Sequence, residues 1–155
     1  MIHIAKTKTW PVDDLYSFLQ GNWSLYRTLN DLPMNMPGVL RGKVEITPGD
    51  GDDLIYRERG ELVLGDHRED IDRTFHYKFP DRKGAPHLAQ VHFAGGGIFH
   101  PLDLSTGLHK VVYEGEEDTY RGTFSVESGD IWNVNWFVTG PSKEIIIDSR
   151  LQRST

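Results

Sequence analysis

Thr119 to Val126 and Ile131 to Val138 alternate apolar and polar residues with a period of two. In the first run Tyr120, Gly122, Phe124 and Val126 share one face, and Thr119, Arg121, Thr123 and Ser125 the other. In the second, Trp132, Val134, Trp136 and Val138 fall together. Side chains along a strand point to opposite sides of the sheet, so each run describes a strand with one face turned from water. The short spacer between them cannot hold a parallel crossover, which takes about a dozen residues, so the two pair antiparallel. The same reading extends along the chain. Trp23-Leu25-Arg27 opens a first strand, followed by Val39 to Ile46, Leu54 to Leu64 and Ile71 to Phe79, where Phe75, Tyr77 and Phe79 share a face. Leu88 to Phe93, Gly97 to Leu102, Val111 to Tyr113 and Lys143 to Leu151 complete a series of about ten short strands, linked by connections of roughly two to six residues.

One helix is expected, over about 11–20: Pro11 suits a first turn, Asp13 and Asp14 suit its positive end, and Leu15, Phe18 and Leu19 share a face. Gly21 then stops it. The fold class expected is therefore all-β, a single domain over 1–155. It consists of an antiparallel up-and-down β-barrel of about 8–10 strands over roughly 22–153, with one short N-terminal helix. Closure removes the sheet edges that long alternating strands would otherwise expose. A sandwich is the alternative compatible with the same pattern.

A helix leading into Gly21-Asn22-Trp23, with a basic residue on the last strand, resembles the closure signature of lipocalin-like (calycin) barrels. That resemblance implies that Trp23 lies across the barrel's end and that a late arginine stacks on it. Arg150 and Arg153 lie on opposite faces of the last strand, so only one can reach. Arg153 is favoured because the family resemblance that follows ends on it. A wider resemblance rests on Phe99-His100-x-Leu102-Asp103-Leu104, Asp118-Thr119-Tyr120-Arg121-Gly122 and Trp136-x-Val138-x-Gly140-Pro141-x-Lys143. Phe18-Leu19-x-Gly21-x-Trp23 and Arg27 carry it at the front. These motifs are similar to the lipocalin-like domain of unknown function 6314, a family that implies a barrel and brings no reaction. Members of that family often carry a cysteine before the Asp-x-Tyr-Arg block, where this chain has Gly115 and Glu116, so a thiol-based role does not transfer.

The chain has no cysteine, hence no disulfide framework and no thiolate nucleophile. Its net charge of −6, with acids clustered at Asp50-Gly51-Asp52-Asp53 and Glu114-Gly115-Glu116-Glu117-Asp118, argues against a nucleic-acid partner. Both clusters read as solvated turns. No apolar run approaches the roughly 20 residues of a membrane helix. The first residues show no basic stretch followed by an apolar core, so a cytoplasmic protein with no membrane partner is expected. The oligomeric state is left open, a homodimer included.

Among the histidines, His3, His67 and His87 stand in polar or turn contexts and are expected exposed, while His76, His92, His100 and His109 fall on or beside strands. His92 and His100 flank Gly95-Gly96-Gly97, and a metal there would need a third converging ligand. Haem on one histidine is a related alternative. Without a His-x-His or His-Glu-x-x-His motif the expectation is no metal and no cofactor. Asp118-x-Tyr120-Arg121 with Lys143 is the densest polar set on expected strands. Tyr120 and Arg121 cannot both line one pocket, because neighbours on a strand face opposite ways. If the polar face is the inner one, Arg121 is a fixed cation for a carboxylate or phosphate. If not, it lies outside in a salt bridge. Lys143 is a further anion-binding candidate.

The reading is a small-molecule binder whose lumen takes an amphipathic or anionic organic ligand. Arg121 is the main contact, with His100, His109, Tyr113, Tyr120, Trp136 and Lys143 around it and Trp23 with Arg153 closing the barrel. The alternative is a cofactor-independent cyclase, isomerase or lyase on a small hydrophobic substrate in the same cavity, with His100, His109 or Asp118 moving the proton. A plain interaction module, its lumen filled by its own side chains, is the third class.

Overall fold

The alternating runs are extended, and all consecutive strands pair except the sixth and seventh, which form the two edges of the sheet. The computed structural model describes residues 9–154, so His3 lies outside the described residues. A single helical turn, α1 (Leu15–Leu19), precedes ten strands: β1 (Gly21–Asp31), β2 (Met36–Pro48), β3 (Leu54–Leu64), β4 (His67–Lys78), β5 (Leu88–Phe93), β6 (Ile98–Asp103), β7 (Leu108–Glu114), β8 (Thr119–Ser128), β9 (Ile131–Thr139) and β10 (Glu144–Ser154). They form one sheet in the order β6-β5-β4-β3-β2-β1-β10-β9-β8-β7, antiparallel at every ladder. The sheet rolls into a nearly closed barrel, with β1 and β10 paired from Asn22↔Ser154 to Asp31↔Ile145. The sandwich alternative is thereby excluded.

The inner face is the apolar one. Trp23 and Leu25 on β1, Leu40, Val44 and Ile46 on β2, and Phe124 and Val126 on β8 are buried. Two close approaches shape the wall. Gly42 and Gly60 face each other across β2 and β3, and a Cβ on Gly42 would meet the Gly60 Cα at 2.8 Å. Gly122 lies opposite Trp136, whose ring covers it so closely that an added Cβ would sit 2.6 Å from a ring carbon.

The helix is shorter than the expected 11–20. Trp10 and Val12 instead spend their backbone N–H groups on Val126 O and Leu104 O, both at 2.9 Å, so the chain before Leu15 crosses the lower end extended. Asp14 caps the turn, accepting from Ser17 N at 3.1 Å and Ser17 Oγ at 2.8 Å. Leu15 and Leu19 are wholly buried beneath it.

The end is locked where the two ends of the barrel sequence meet. Trp23 is wholly buried and donates from Nε1 to Leu19 O at 2.9 Å. The Arg153 guanidinium lies 4.2 Å from the centre of the Trp23 ring. It donates to Gln20 O at 3.0 Å, Phe18 O at 2.9 Å and Gly129 O at 3.1 Å, and its Nε reaches Asp130 at 3.2 Å. Gly21, at φ +123°, makes the sharp exit from the helix that sets these carbonyls toward Arg153. Arg150 sits on the opposite, outer face and pairs with Glu127 at 2.7 Å.

Because one side chain satisfies three carbonyls and stacks on the buried indole, Arg153→Ala should lower the unfolding free energy by about 2–4 kcal/mol in a urea titration. Arg153→Lys should recover less than half of that, because a single ammonium cannot span the same carbonyls in a fixed fork.

Candidate functional site

The apolar inner faces do not fill the barrel. They enclose a cavity of about 220 Å³, walled by Phe75 and Tyr77 of β4, Phe99 of β6, Phe124 of β8, and Trp132 and Trp136 of β9. Phe99 and Trp136 lie stacked, with ring centres 5.3 Å apart and planes 11° from parallel. Leu40, Leu62, Val91 and Ile147 add apolar surface.

One side of this wall is charged. Arg27 of β1 falls in phase with Trp23 and Leu25 and therefore points inward. Glu58 of β3 falls in phase with Leu54 and Tyr56 and does the same. No side chain stands at Gly42 between them, and Arg27 grips the Glu58 carboxylate with both terminal nitrogens, at 2.7 and 2.8 Å. Tyr56 donates its hydroxyl to Glu58 Oε1 at 2.9 Å, and Arg27 Nε donates to Ser149 Oγ of β10 at 2.7 Å. The side chains are 12% and 1% exposed, which places the pair out of bulk water. Burial works to raise the Glu58 carboxyl, but the hydrogen bonds and charge of Arg27, with Arg73 adding its charge, outweigh it and hold the carboxyl below its ordinary range. Burial and the Glu58 charge push the Tyr56 phenol well above its usual value, so it stays a donor.

Arg73 of β4, directly across from Glu58, lies 5.0 Å over the Phe75 ring. It is exposed, and among the described residues it has no ion-pair partner. It lines both the lumen and an outer vestibule of about 590 Å³, which share Phe75, Phe99 and Tyr120 as well. The vestibule exists because β4 pairs with β5 only from Phe75 to Lys78, leaving the rest of β4 without a partner on that side among the described residues. Its far rim is acidic, with Glu116 and Glu117 beside Asp118, which is paired to Lys143 at 3.1 Å.

His100, on β6, is buried against the lumen, with Nδ1 2.7 Å from Pro101 O. A carbonyl only accepts, so Nδ1 carries the proton and Nε2 is the ring's free acceptor. Burial, with nearby His109 adding to it against the Pro101 hydrogen bond, pushes the ring's pKa down to about 4. His100 is therefore neutral near pH 7.

The expected site residues divide. His100, Tyr120 and Trp136 line the lumen, and Tyr113 and Tyr120 line the vestibule. Arg121 does not join them. It is exposed on the outer face of β8, because the face carrying Tyr120, Gly122, Phe124 and Val126 is the buried one; of the two orientations left open for Arg121 the outer one holds, and its expected role as the main lumen contact is corrected. Lys143 is exposed ahead of β10 and bonded to Asp118, and Asp118 sits in the β7–β8 turn at the vestibule's rim. His109 is half-buried on β7 and lines neither cavity. Among the described residues no cluster of three or more histidine or acidic side chains could hold a metal ion. Also among the described residues, no helix is long and apolar enough to cross a membrane.

Arg27, Glu58, Arg73 and Ser149 were missed as site residues. Their signal was phase: Arg27 repeats the period of Trp23 and Leu25, Glu58 that of Leu54 and Tyr56, and Arg73 that of Phe75 and Tyr77. A cation and an acid in phase with apolar neighbours on separate strands of one barrel have each other as the natural partner.

Comparison with known proteins adds the following. The family model described as a family of unknown function (DUF6314) matches residues 19–153. Among solved structures, the S-type phycobiliprotein lyase CPES from Guillardia theta is similar at a TM-score of 0.72 and 9% identity, covering 94% of each chain. A protein of unknown function from the DUF3598 family of Nostoc punctiforme is similar at a TM-score of 0.61 and 12% identity. That match covers 98% of this chain and 54% of that one. No curated protein sequence matches the chain.

Removing Glu58 alone strands a buried guanidinium, so Glu58→Ala should cost about 3–5 kcal/mol of stability. Replacing both partners, Arg27→Met with Glu58→Met, should cost less than half as much. Because the folded carboxyl titrates below its ordinary value of 4.5, its contribution is complete above that value and is lost as pH falls through the lower one. Urea unfolding at a series of acid pH values should therefore show a steeper loss for the native chain than for the doubly substituted one.

Proposed function

Because the chain belongs to the family of unknown function DUF6314, which brings no activity with it, we propose from the cavity itself that the barrel binds a small organic ligand. The ligand is mostly apolar and carries a single acidic group. The observation that carries this reading is an aromatic lumen with one unpaired cation, Arg73, at its mouth. Apolar walls with a few placed polar groups are the usual form of a small-molecule site. Arg27 and Glu58 cancel, so the lumen's side chains carry one net positive charge. A lone carboxylate or sulfonate meets that charge, whereas a polyanion would meet the acidic rim at Glu116 and Glu117 first. The likeness to a phycobiliprotein lyase supports the barrel fold and no particular substrate.

Binding without turnover is favoured over the cofactor-independent enzyme. Glu58 is tied up by Arg27 and Tyr56, and His100 is too weak a base, at about 4, to take a proton efficiently near pH 7. Neither has the partner and the matched pKa that proton transfer requires.

Anilinonaphthalene sulfonate, an apolar fluorophore with one anionic group, is a suitable probe. Its emission should rise on binding the native protein. Arg73→Ala should weaken that binding by about tenfold, the worth of one charge-assisted contact. Val134→Trp, which fills the lumen from β9, should weaken it at least as much while far-ultraviolet circular dichroism stays unchanged. Equal affinity in both variants would place the dye outside the barrel and sink the reading.

A further inference from the structure

We infer that the closed end of the lumen holds a subsite for a neutral carbonyl oxygen, built from Trp132, Ser149 and Arg27. This inference rests on the lumen being a ligand site, as proposed above, and names a second feature of its ligand. The three residues are neighbours on the inner wall. Arg27 and Ser149 are directly paired across β1 and β10, and Trp132 lies one inward position further down β9, opposite Leu151. All three line the cavity.

What they share is unused donor capacity. Trp132 is 1% exposed, and among the described residues its Nε1–H has no hydrogen-bond partner. Ser149 spends its oxygen accepting from Arg27 Nε, and among the described residues its own O–H has no acceptor. Arg27 commits three of its five N–H groups, one to Ser149 and two to Glu58. Buried donors without acceptors are costly, and an apolar wall cannot supply the missing acceptor. A ligand oxygen can.

Charge and valence narrow the oxygen's type. Arg27 is neutralised by Glu58, so this end of the wall carries no net charge to hold an anion, and Glu58 would repel one. A hydroxyl would bring a donor of its own to a subsite where Trp132 and Arg27 can only donate. A carbonyl brings two lone pairs and no proton. With Arg73 at the mouth, the ligand class becomes a flat keto-acid: a carbonyl at the inner end, an apolar body between aromatic walls, and one carboxylate outward.

Three matched probes test this by equilibrium binding followed in ligand fluorescence. The first is a naphthoic acid carrying an acetyl group at the opposite end of the ring system. The second carries ethyl in place of acetyl, and the third keeps the acetyl and lacks the carboxyl. The native protein should bind the first about tenfold more tightly than the second, the worth of one buried hydrogen-bonding mismatch. That preference should vanish in Ser149→Ala and in Trp132→Phe, while the loss caused by removing the carboxyl should persist in both. Trp132→Phe keeps an aromatic ring beside Trp23 and Phe124, and Ser149→Ala removes one oxygen, so both should fold. Equal binding of the acetyl and ethyl acids, or a preference surviving both substitutions, overturns the subsite yet leaves anion binding in the lumen standing. Failure of all three probes where anilinonaphthalene sulfonate binds also overturns it. If that dye fails as well, the fault lies with the lumen reading.

Discussion

The barrel depends on one guanidinium placed where the helix, the first strand and the last strand converge. Arg153 stacks on Trp23 and takes up carbonyls of Phe18, Gln20 and Gly129 that the helix end and the β8–β9 turn would otherwise leave unpaired. Its planar fork does what an ammonium cannot, since three acceptors in different directions need several fixed N–H groups. With that end sealed by Trp23, α1 and the Trp10–Val12 segment, any small molecule must come from the other side. There β4 runs past its pairing with β5, and the wall is open.

The second charged device lies inside. An Arg–Glu pair removed from water contributes little net stability, because desolvating both ions offsets most of their attraction. Its structural effect is nevertheless definite. It ties β1 to β3 across Gly42 and, through Ser149, to β10, and it fixes Glu58 as a carboxylate that cannot act as a free base. The same pairing strips Arg27 of its attraction for anions. Among the described residues only Arg73, across from Glu58, is left to supply unbalanced positive charge in the lumen, so the polar groups divide into a neutral donor set and one exposed cation.

Much of the fold was legible in the sequence, because period-two alternation and short connections leave few topologies. The stacking partner of Trp23 was legible in two steps: register allows only one of Arg150 and Arg153 to turn inward, and the family resemblance, which ends on Arg153, chose between them. The helix boundary was not: Pro11 and Asp13 suit a first helical turn, yet tertiary hydrogen bonds to Leu104 and Val126 claim that backbone. Arg121 was misplaced because it stands in the densest polar cluster on the expected strands. In an amphipathic strand the densest polar cluster marks the solvent face. The informative residues were solitary charges in apolar phase, Arg27, Glu58 and Arg73, each appearing where the pattern called for a hydrophobe.

The cavity itself follows from geometry before any specific chemistry. Side chains suffice to fill a barrel of about eight strands, and added strands widen the interior faster than side chains can span it. Ten strands, with glycine at the inward positions Gly42, Gly60 and Gly122, leave space that aromatic rings narrow to a slot and do not fill. An empty apolar slot would be dry and indifferent to what enters it. On the proposed reading, what would make this one selective is the placement of its few polar atoms, with donors in excess at the closed end, an exposed cation near the open side and acids on the far rim. A ligand that satisfies all of these must be apolar in the middle and polar at both ends, and its two ends must differ in charge.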